Sequence, residues 1–149
     1  MKPDVKIVTL HGEPHLINIV ATWYKREWGT SPSTTAKLVK AFQILATENG
    51  TPVGTAGLYT ETSLLRVYPQ YRKYSPWLAM LYVAPEKRCR GIGTLLCNAI
   101  EEEARRRNHG TLYLYTFTAE PMYRKLGWNE LERVDYKGHD TVIMSKDIR

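Results

Sequence analysis

The clearest candidate for chemistry in this chain is a basic, glycine-bearing turn that joins an apolar stretch to an amphipathic one. Gly91 and Gly93 let the backbone turn sharply and approach a ligand without a Cβ in the way. The first N–H groups of a helix that begins here have no partner within that helix, and the helix dipole adds about half a positive charge. Lys87, Arg88 and Arg90 add side-chain charge. These residue types predict a site for a phosphate-bearing ligand.

Two well-known glycine motifs do not fit this turn. The chain has no Walker A string, and the dinucleotide fingerprint requires a third glycine where this sequence has Leu96. The pattern that remains is Arg-x-x-Gly-x-Gly over residues 88–93, preceded by Val-x-Pro over residues 83–85 at the end of an apolar strand. It resembles the acetyl-CoA loop of the GNAT superfamily of N-acetyltransferases. An ordinary strand-to-helix turn is the alternative interpretation of the glycines alone.

Two further segments strengthen the resemblance. Ala119, Tyr123, Gly127 and Trp128 have the spacing of the family's Ala-x-x-x-Tyr-x-x-x-Gly-Phe/Trp segment. The string Ser-Pro-Trp-Leu-Ala at 75–79 is similar to the start of the cofactor-binding strand in many bacterial members. The resemblance covers about residues 54–148, while the N-terminal part is similar only in element order. The chain departs from the family at Thr116, where members often have asparagine.

The resemblance implies a mode of cofactor binding. Backbone groups of Leu81 and Val83 would pair with the pantetheine arm of acetyl-CoA as an added strand does. Residues 88–94 would present N–H groups to the pyrophosphate, with the Arg90 side chain near a phosphate. The implied cofactor-binding residues are Leu81, Tyr82, Val83, Arg88, Cys89, Arg90, Gly91, Ile92, Gly93 and Thr94.

The resemblance also implies that Tyr123 is catalytic. Attack of a neutral amine on the thioester requires a donor for the oxyanion, such as a backbone N–H of the cofactor strand, and a proton for the departing thiolate. A phenol, with a reference pKa of about 10, can return a proton to a thiolate of reference pKa about 8.5. The alternative role of Tyr123 is packing within a short helix. Glu61 and Glu120 are weak candidates for a general base, and neither is assigned.

The elements that must position these residues follow from hydrophobic periodicity. Strands are predicted at 5–10, 42–48, 52–59, 77–83, 111–116, 128–136 and 141–145, and helices at 14–28, 34–42, from residue 92 to about 108, and at 119–126. Asn-Gly at 49–50 predicts a hairpin, and Lys-Gly at 137–138 predicts a second one. The segment 61–75 is predicted as either a strand extension or a mobile loop. The order is βααβββαβαββ, which is the order of the GNAT fold. We therefore expect an α/β protein with a mixed parallel and antiparallel sheet flanked by helices.

Length and composition are those of one globular domain spanning residues 1–149, with 43% hydrophobic and 24% charged residues. The net charge of +6 suits a nucleic acid or an anionic cofactor such as coenzyme A. Glu at 101–103 precedes Arg at 105–107 by four residues each, which indicates a solvated helix face rather than a nucleic-acid patch. We expect no nucleic-acid partner.

Cysteine and histidine usage exclude other classes of protein. Cys89 and Cys97 are too few for a disulfide framework, and Gly12 and Pro14 prevent His11 and His15 from forming a helical metal pair. We expect no metal site, no secretory signal and no membrane span, and hence a cytoplasmic protein.

We expect an enzyme that transfers an acetyl group from acetyl-CoA to a primary amine in a ternary complex, with no covalent intermediate. The alternative is a non-catalytic module of the same fold that binds CoA or RNA phosphates. A small-molecule or a peptide amine could be the acceptor, and Tyr59 and Trp28 are favoured among aromatic residues that could line its cleft. The sequence leaves a monomer and a homodimer open.

Overall fold

The structure is a computed structural model, and it describes residues 4–29 and 41–149. The strands within these residues are β1 (Val5–Thr9), β2 (Phe42–Glu48), β3 (Thr51–Tyr59), β4 (Trp77–Val83), β5 (Thr111–Thr116), β6 (Asn129–Tyr136) and β7 (His139–Asp147). The helices are α1 (Ile17–Trp28), α2 (Leu64–Val67), α3 (Ile92–Arg106) and α4 (Glu120–Lys125). Short 3-10 turns lie at Leu10–Gly12, Pro14–Leu16, Pro69–Lys73 and Pro85–Lys87.

The strands form a mixed sheet in the order β1-β2-β3-β4-β5-β7-β6. Strands β4 and β5 are parallel, with Trp77 opposite Tyr113. The pairs β1–β2, β2–β3, β5–β7 and β6–β7 are antiparallel. Helix α3 makes the crossover that a parallel pair requires. The expectation of a mixed α/β fold with β4 and β5 parallel and adjacent is confirmed.

Residue contacts divide the chain into two compact units, and the expectation of a single domain stays a prediction. One unit comprises Met1–Leu58 and Met80–Ile100, and its core includes buried Val20 and Tyr24 of α1. The other comprises Tyr59–Ala79 and Glu101–Arg149, with Trp77 and Ile143 in its core.

The predicted hairpins form at the predicted turns. Asn49 and Gly50 have φ of 52° and 84°, and Lys137 and Gly138 have φ of 53° and 80°. Positive φ at both central residues gives the turn a twist that matches that of the flanking strands. The sequence therefore locates both reversals of the chain.

One predicted segment, residues 61–75, differs from one of the two alternatives expected for it, and another, the helix at 34–42, lies mostly outside the described residues. The strand extension predicted as one alternative for residues 61–75 is wrong, because they contain α2 and the 3-10 turn Pro69–Lys73. The alternative of a mobile loop stays a prediction. A single helical turn is too short to show helical periodicity in a sequence. Most of the helix predicted at 34–42 lies outside the described residues, and Phe42 begins β2.

Two of the three glutamates in the acidic run of α3 form the i,i+4 ion pairs that the spacing indicates, but their side chains are only 5% and 12% exposed, so the predicted solvated face is wrong for them. Glu101 and Glu103 form i,i+4 ion pairs with Arg105 and Arg107, at 3.6 and 2.8 Å. Glu102 pairs with Arg105 at 3.0 Å through i,i+3 spacing. These pairs partly neutralise the arginines on this helix.

Candidate functional site

Strand β4 contains an interruption at Met80, in the middle of the predicted cofactor strand. Met80 has φ of +59°, a left-handed conformation that residues with a side chain rarely adopt within a strand. The Tyr24 hydroxyl donates a hydrogen bond to the Met80 carbonyl oxygen at 2.5 Å. The regular ladder is therefore broken one residue before Leu81.

Beyond Met80, the backbone of β4 presents groups to the side away from β3. The N–H of Ala84 donates to the carbonyl of Val53 in β3 at 2.8 Å. Successive N–H groups of an extended strand alternate in direction, so those of Leu81 and Val83 are directed to the opposite side. Tyr82 is buried, and its carbonyl oxygen lies on the side of Gly54. Leu81 and Val83 thus have the backbone orientation that pairing with an added strand requires.

The turn after β4 has an open backbone. Cys89 and Gly91 have φ of 65° and 84°, so two residues of the turn adopt left-handed conformations. A Cβ added to Gly91 would meet no atom of the described residues within 4 Å, and one added to Gly93 would meet Val83 Cγ2 at 3.9 Å. Space therefore remains beside both glycines for a ligand to approach the main chain.

Helix α3 begins directly after this turn and packs closely on β3 and β4. Ile92 and Leu96 are buried, and a Cβ added to Gly54 would lie 3.0 Å from both Leu96 Cδ1 and the Tyr82 carbonyl oxygen. Gly54 therefore allows the close approach of helix and strands. Thr94, in the first turn of α3, is half-buried.

Each basic side chain of the turn has a counter-ion. Lys87 and Arg90 lie 3.2 and 3.9 Å from opposite oxygens of Glu48, whose side chain is only 13% exposed. Arg88 lies 3.8 Å from Glu27. A carboxylate beside a phosphate site would hold the basic side chains in place. Glu48 is not recognisable from the sequence, because a single glutamate at the end of a hairpin strand gives no distinctive signal.

Arg88 also contacts the cofactor strand itself. Its Nε donates to the carbonyl of Val83 at 2.8 Å, and its guanidinium lies 5.5 Å from the centroid of the Tyr82 ring. The Arg88 side chain is thus directed back along β4 rather than outward. The cofactor-binding residues predicted in β4, in the turn and at the start of α3 all belong to one compact unit.

Tyr123 is described by itself, because it belongs to the other unit. It lies in α4 with 6% of its surface exposed, and its ring makes an edge contact with Trp128 at 6.1 Å. The N–H of Trp128 donates to the Tyr123 carbonyl at 3.1 Å, and Gly127 turns the chain with φ of 94°. The Ala-Tyr-Gly-Trp spacing therefore has a structural basis in the end of α4. The catalytic role of Tyr123 stays a prediction.

Thr116, where the family often has asparagine, caps the turn that leads into α4. Its Oγ1 accepts hydrogen bonds from the N–H groups of Thr118 and Ala119, at 3.3 and 3.1 Å. The hydroxyl is thus used for local structure.

The two carboxylates considered as general bases are both held by arginines. Glu120 accepts hydrogen bonds from Arg133 and Arg124, each at 2.7 Å, and these bonds, that from Arg133 first, lower the pKa of its carboxyl. A lower pKa makes a weaker base. Glu61 forms an ion pair with Arg72.

The two aromatic residues favoured for an acceptor cleft have different surroundings. Trp28 is 46% exposed at the end of α1, with its ring stacked on Tyr24 at 5.1 Å. Tyr59 is buried at the end of β3, and burial raises the pKa of its hydroxyl above the usual value. An acceptor contact for either residue stays a prediction.

Residues 4–29 and 41–149 also bear on metal binding and on membrane spanning. These residues contain no group of three or more His, Cys, Asp or Glu side chains that could hold a metal ion. None of the helices they form has the length and apolar character needed to cross a bilayer.

The fold of the chain is similar to that of known structures. The chain is similar to a crystal structure of an aminoglycoside 6′-N-acetyltransferase complexed with coenzyme A, with TM-score 0.77, 17% identity and 97% of each chain covered. The aminoglycoside 6′-N-acetyltransferase from Enterococcus faecium gives TM-score 0.77, 18% identity and the same coverage. Arabidopsis thaliana Naa50, in complex with the bisubstrate analogue CoA-Ac-MVNAL, gives TM-score 0.72 and 17% identity, with 96% of this chain and 98% of that chain covered.

The similarity to these structures shows the fold. A search of curated proteins found no match. The model of the Acetyltransferase (GNAT) family matches residues 14–128, which is more than half of the chain. The acetyltransferases of this family use acetyl-CoA. The chain therefore belongs to the GNAT family of acetyltransferases.

Proposed function

We propose that the protein transfers an acetyl group from acetyl-CoA to a primary amine by direct attack in a ternary complex. The observation that carries the proposal is the open backbone beside Gly91 and Gly93, next to a strand whose Leu81 and Val83 N–H groups are directed away from β3. Acetyl-CoA fits this arrangement because its pyrophosphate needs N–H donors and its pantetheine arm has amides that pair like a strand. When bound, it supplies a thioester carbonyl that an amine can attack.

The residues of the turn would bind and orient the cofactor. N–H groups from Arg88 to Thr94 would donate to the pyrophosphate, and the Arg90 side chain would add charge nearby. The Leu81 carbonyl and the backbone of Val83 would hold the pantetheine arm, which leaves the Leu81 N–H for the thioester. Since Arg88 donates to the Val83 carbonyl at 2.8 Å, we propose that its guanidinium moves from this carbonyl as the arm pairs there.

Two groups would carry the charge changes of the reaction. The Leu81 N–H would donate to the oxygen that becomes negative as the amine attacks. The Tyr123 hydroxyl would give its proton to the departing thiolate. The role of Tyr123 is supported by its motif and by the fixed end of α4, where Trp128 and Gly127 hold its backbone.

The proposed acceptor is a small-molecule or peptide primary amine. Two structures of similar fold are aminoglycoside acetyltransferases, and a third holds a bisubstrate analogue that contains a peptide. At 17–18% identity they show the fold and do not identify the acceptor. The net charge of +6 disfavours polycations and makes uncharged or acidic amines the first to test.

Thermal unfolding with and without acetyl-CoA tests the proposed cofactor site. At about 100 times Kd, the ligand should add about 2.7 kcal/mol of stability, which raises Tm by roughly 5–10 °C in a domain of this size. Gly91→Glu should abolish the shift, because it places bulk and negative charge beside the phosphates. Gly138→Glu is the matched control: it has φ of 80° and an equally open site in the β6–β7 turn, so it carries the same backbone cost.

Catalysis is tested separately by release of free CoA thiol in the presence of a panel of amines. Thiol release that depends on an amine would support the transferase. Tight binding of acetyl-CoA with no thiol release from any amine would favour the non-catalytic CoA-binding module. No Tm shift in the wild-type protein at millimolar acetyl-CoA would contradict the proposal.

A further inference from the structure

A buried chain of hydrogen bonds ends at the interruption in β4. The Tyr24 hydroxyl of α1 donates to the Met80 carbonyl at 2.5 Å. Gln43 Nε2 of β2 donates to the oxygens of Tyr24 and Thr55, each at 2.8 Å, and the Thr55 hydroxyl donates to the Ile44 carbonyl at 2.7 Å. Tyr24, Gln43 and Thr55 are each 0% exposed. Three elements of one unit thus support a single peptide group of β4.

The direction of every bond in this chain is fixed. The carbonyl oxygens of Met80 and Ile44 only accept, so Tyr24 and Thr55 each donate their single proton there. Both hydroxyls must then accept from Gln43, whose amide has two N–H protons to give. The chain has one consistent polarity, and its members strengthen one another in a buried environment.

The peptide group at the end of the chain also contains the proposed oxyanion donor. A trans peptide is planar, so the Met80 carbonyl and the Leu81 N–H point in opposite directions. A hydrogen bond that fixes the carbonyl therefore also fixes the N–H, and withdrawal of electrons by Tyr24 makes that N–H a stronger donor. The left-handed φ of Met80 is costly and persists only where surrounding groups hold it.

We propose that Tyr24, held by Gln43 and Thr55, is a positioning residue that aims and polarises the Leu81 N–H toward the thioester oxygen of acetyl-CoA. This inference rests on the proposed function. The competing interpretation is a core polar network that contributes only stability, since Tyr24 also stacks on Trp28. The two interpretations make different predictions for the thioester carbonyl of bound acetyl-CoA. Only the first predicts that the Tyr24 hydroxyl affects the polarisation of this carbonyl.

The test measures the infrared stretch of bound acetyl-CoA that is isotopically labelled at the thioester carbonyl. A hydrogen bond from Leu81 lowers this stretching frequency relative to free acetyl-CoA. Tyr24→Phe should lose most of that shift while Kd, measured by calorimetry, stays unchanged, because the contacts of the pyrophosphate and pantetheine remain. Val20→Ala is the matched control, since Val20 is 0% exposed, on the same helix and in the same core cluster. It should lower Tm and keep the full shift.

Gln43→Leu extends the test along the chain. On its own it should reduce the shift in part, because Tyr24 loses the donor that orients its hydroxyl. In the Tyr24→Phe background it should change the shift no further if Gln43 acts through Tyr24. Additive losses from the two substitutions would contradict a single chain.

A second readout needs no bound ligand. The amide nitrogen chemical shift of Leu81 should change more in Tyr24→Phe than in Val20→Ala, because only Tyr24→Phe removes the hydrogen bond that polarises this peptide through the Met80 carbonyl. Equal carbonyl shifts in the wild-type protein and Tyr24→Phe would overturn the inference and leave the proposed function intact. Failure of the wild-type protein to bind acetyl-CoA would overturn both, and it would appear before any substitution is made.

Discussion

Glu48 Oε1 lies 3.2 Å from Nζ of Lys87, so a carboxylate at the end of β2 lies against the turn proposed to hold the pyrophosphate. Its second oxygen is buried, accepts no hydrogen bond from the described residues and lies 3.9 Å from Arg90. The same carboxylate therefore orders two cations and repels an anionic ligand. The amide of a glutamine could keep the contact that orders Lys87, but it would not repel the ligand. We therefore expect the repulsion to decide how this position affects binding.

Glu48→Gln should bind acetyl-CoA more tightly than the wild-type protein. The amide keeps an oxygen that can accept from Lys87, while one negative charge is removed. Two unit charges about 8 Å apart in water interact by about 0.5 kcal/mol, which corresponds to roughly a twofold fall in Kd. Calorimetry at low and high salt measures it, and salt should reduce the difference. Glu102→Gln, which changes the net charge equally on the solvated face of α3, should leave Kd unchanged. Weaker binding by Glu48→Gln would show that ordering of the cations dominates.

Gly93→Ala should lower the affinity for acetyl-CoA without lowering the free energy of unfolding. Gly93 has no positive φ, and its added Cβ would contact Val83 Cγ2 only at 3.9 Å, so the free energy of unfolding should not fall. Alanine could even stabilise the helix start by up to about 1 kcal/mol. Acetyl-CoA affinity should fall about tenfold, because an inserted methyl in a close contact costs about 1–3 kcal/mol. Urea unfolding and calorimetry measure the two quantities, and unchanged affinity would exclude close approach at this residue.

Gly54→Ala should have the opposite pattern, in which stability falls because the protein itself fills the space. The added Cβ would lie 3.0 Å from the Tyr82 carbonyl oxygen, a backbone atom that cannot rotate away. We expect a loss of about 1–3 kcal/mol in the free energy of unfolding. Urea denaturation measures it, with Gly93→Ala as the control for adding a methyl group in the same unit. A loss equal to that of the control would contradict close packing of α3 on β3 and β4.

The sequence predicts the parts of this site that depend on local backbone chemistry. The glycines at 91 and 93, the apolar β4 and the amphipathic α3 are adjacent in the chain, so their spacing reports their geometry. Both hairpins are located for the same reason, because their turns need positive φ at consecutive residues. Local signals of this kind require no knowledge of what packs against them.

Contacts between distant segments are not visible in the sequence. Tyr24 and Met80 are 56 residues apart, and the left-handed φ of Met80 has no glycine or asparagine to indicate it. Glu48 is 39 residues from Lys87, and nothing near it differs from an ordinary solvated glutamate. Helix α2 escapes prediction because four residues give no periodicity. These features depend on tertiary packing, which periodicity alone does not encode.

Glu120→Gln tests the ion pairs at the start of α4 through their pH dependence. Hydrogen bonds from Arg133 and Arg124 lower the pKa of Glu120 below its usual 4.5. A lowered pKa means that the stabilisation is present above 4.5 and is lost as pH falls through the folded-state value. The variant should therefore have a lower Tm than the wild-type protein at neutral pH, and the difference should shrink in acid. Glu102→Gln, which breaks one exposed ion pair, should change Tm little at either pH. A difference that persists in acid would exclude the carboxylate as its cause.

Tyr123→Phe tests the proposed proton donor without removing the ring. The edge contact with Trp128 should survive, so the change concerns the hydroxyl. Loss of a general acid lowers kcat by about 100-fold or more, while the Kd of acetyl-CoA should remain that of the wild-type protein. The rate of CoA thiol release with a reactive amine measures kcat, and calorimetry measures Kd. Tyr136→Phe is the matched control, because Tyr136 is 7% exposed against 6% for Tyr123 and its hydroxyl bonds Ser63 at 2.7 Å. That variant should lose stability and keep kcat. An unchanged kcat in Tyr123→Phe would leave this tyrosine a packing residue and assign the proton to another group.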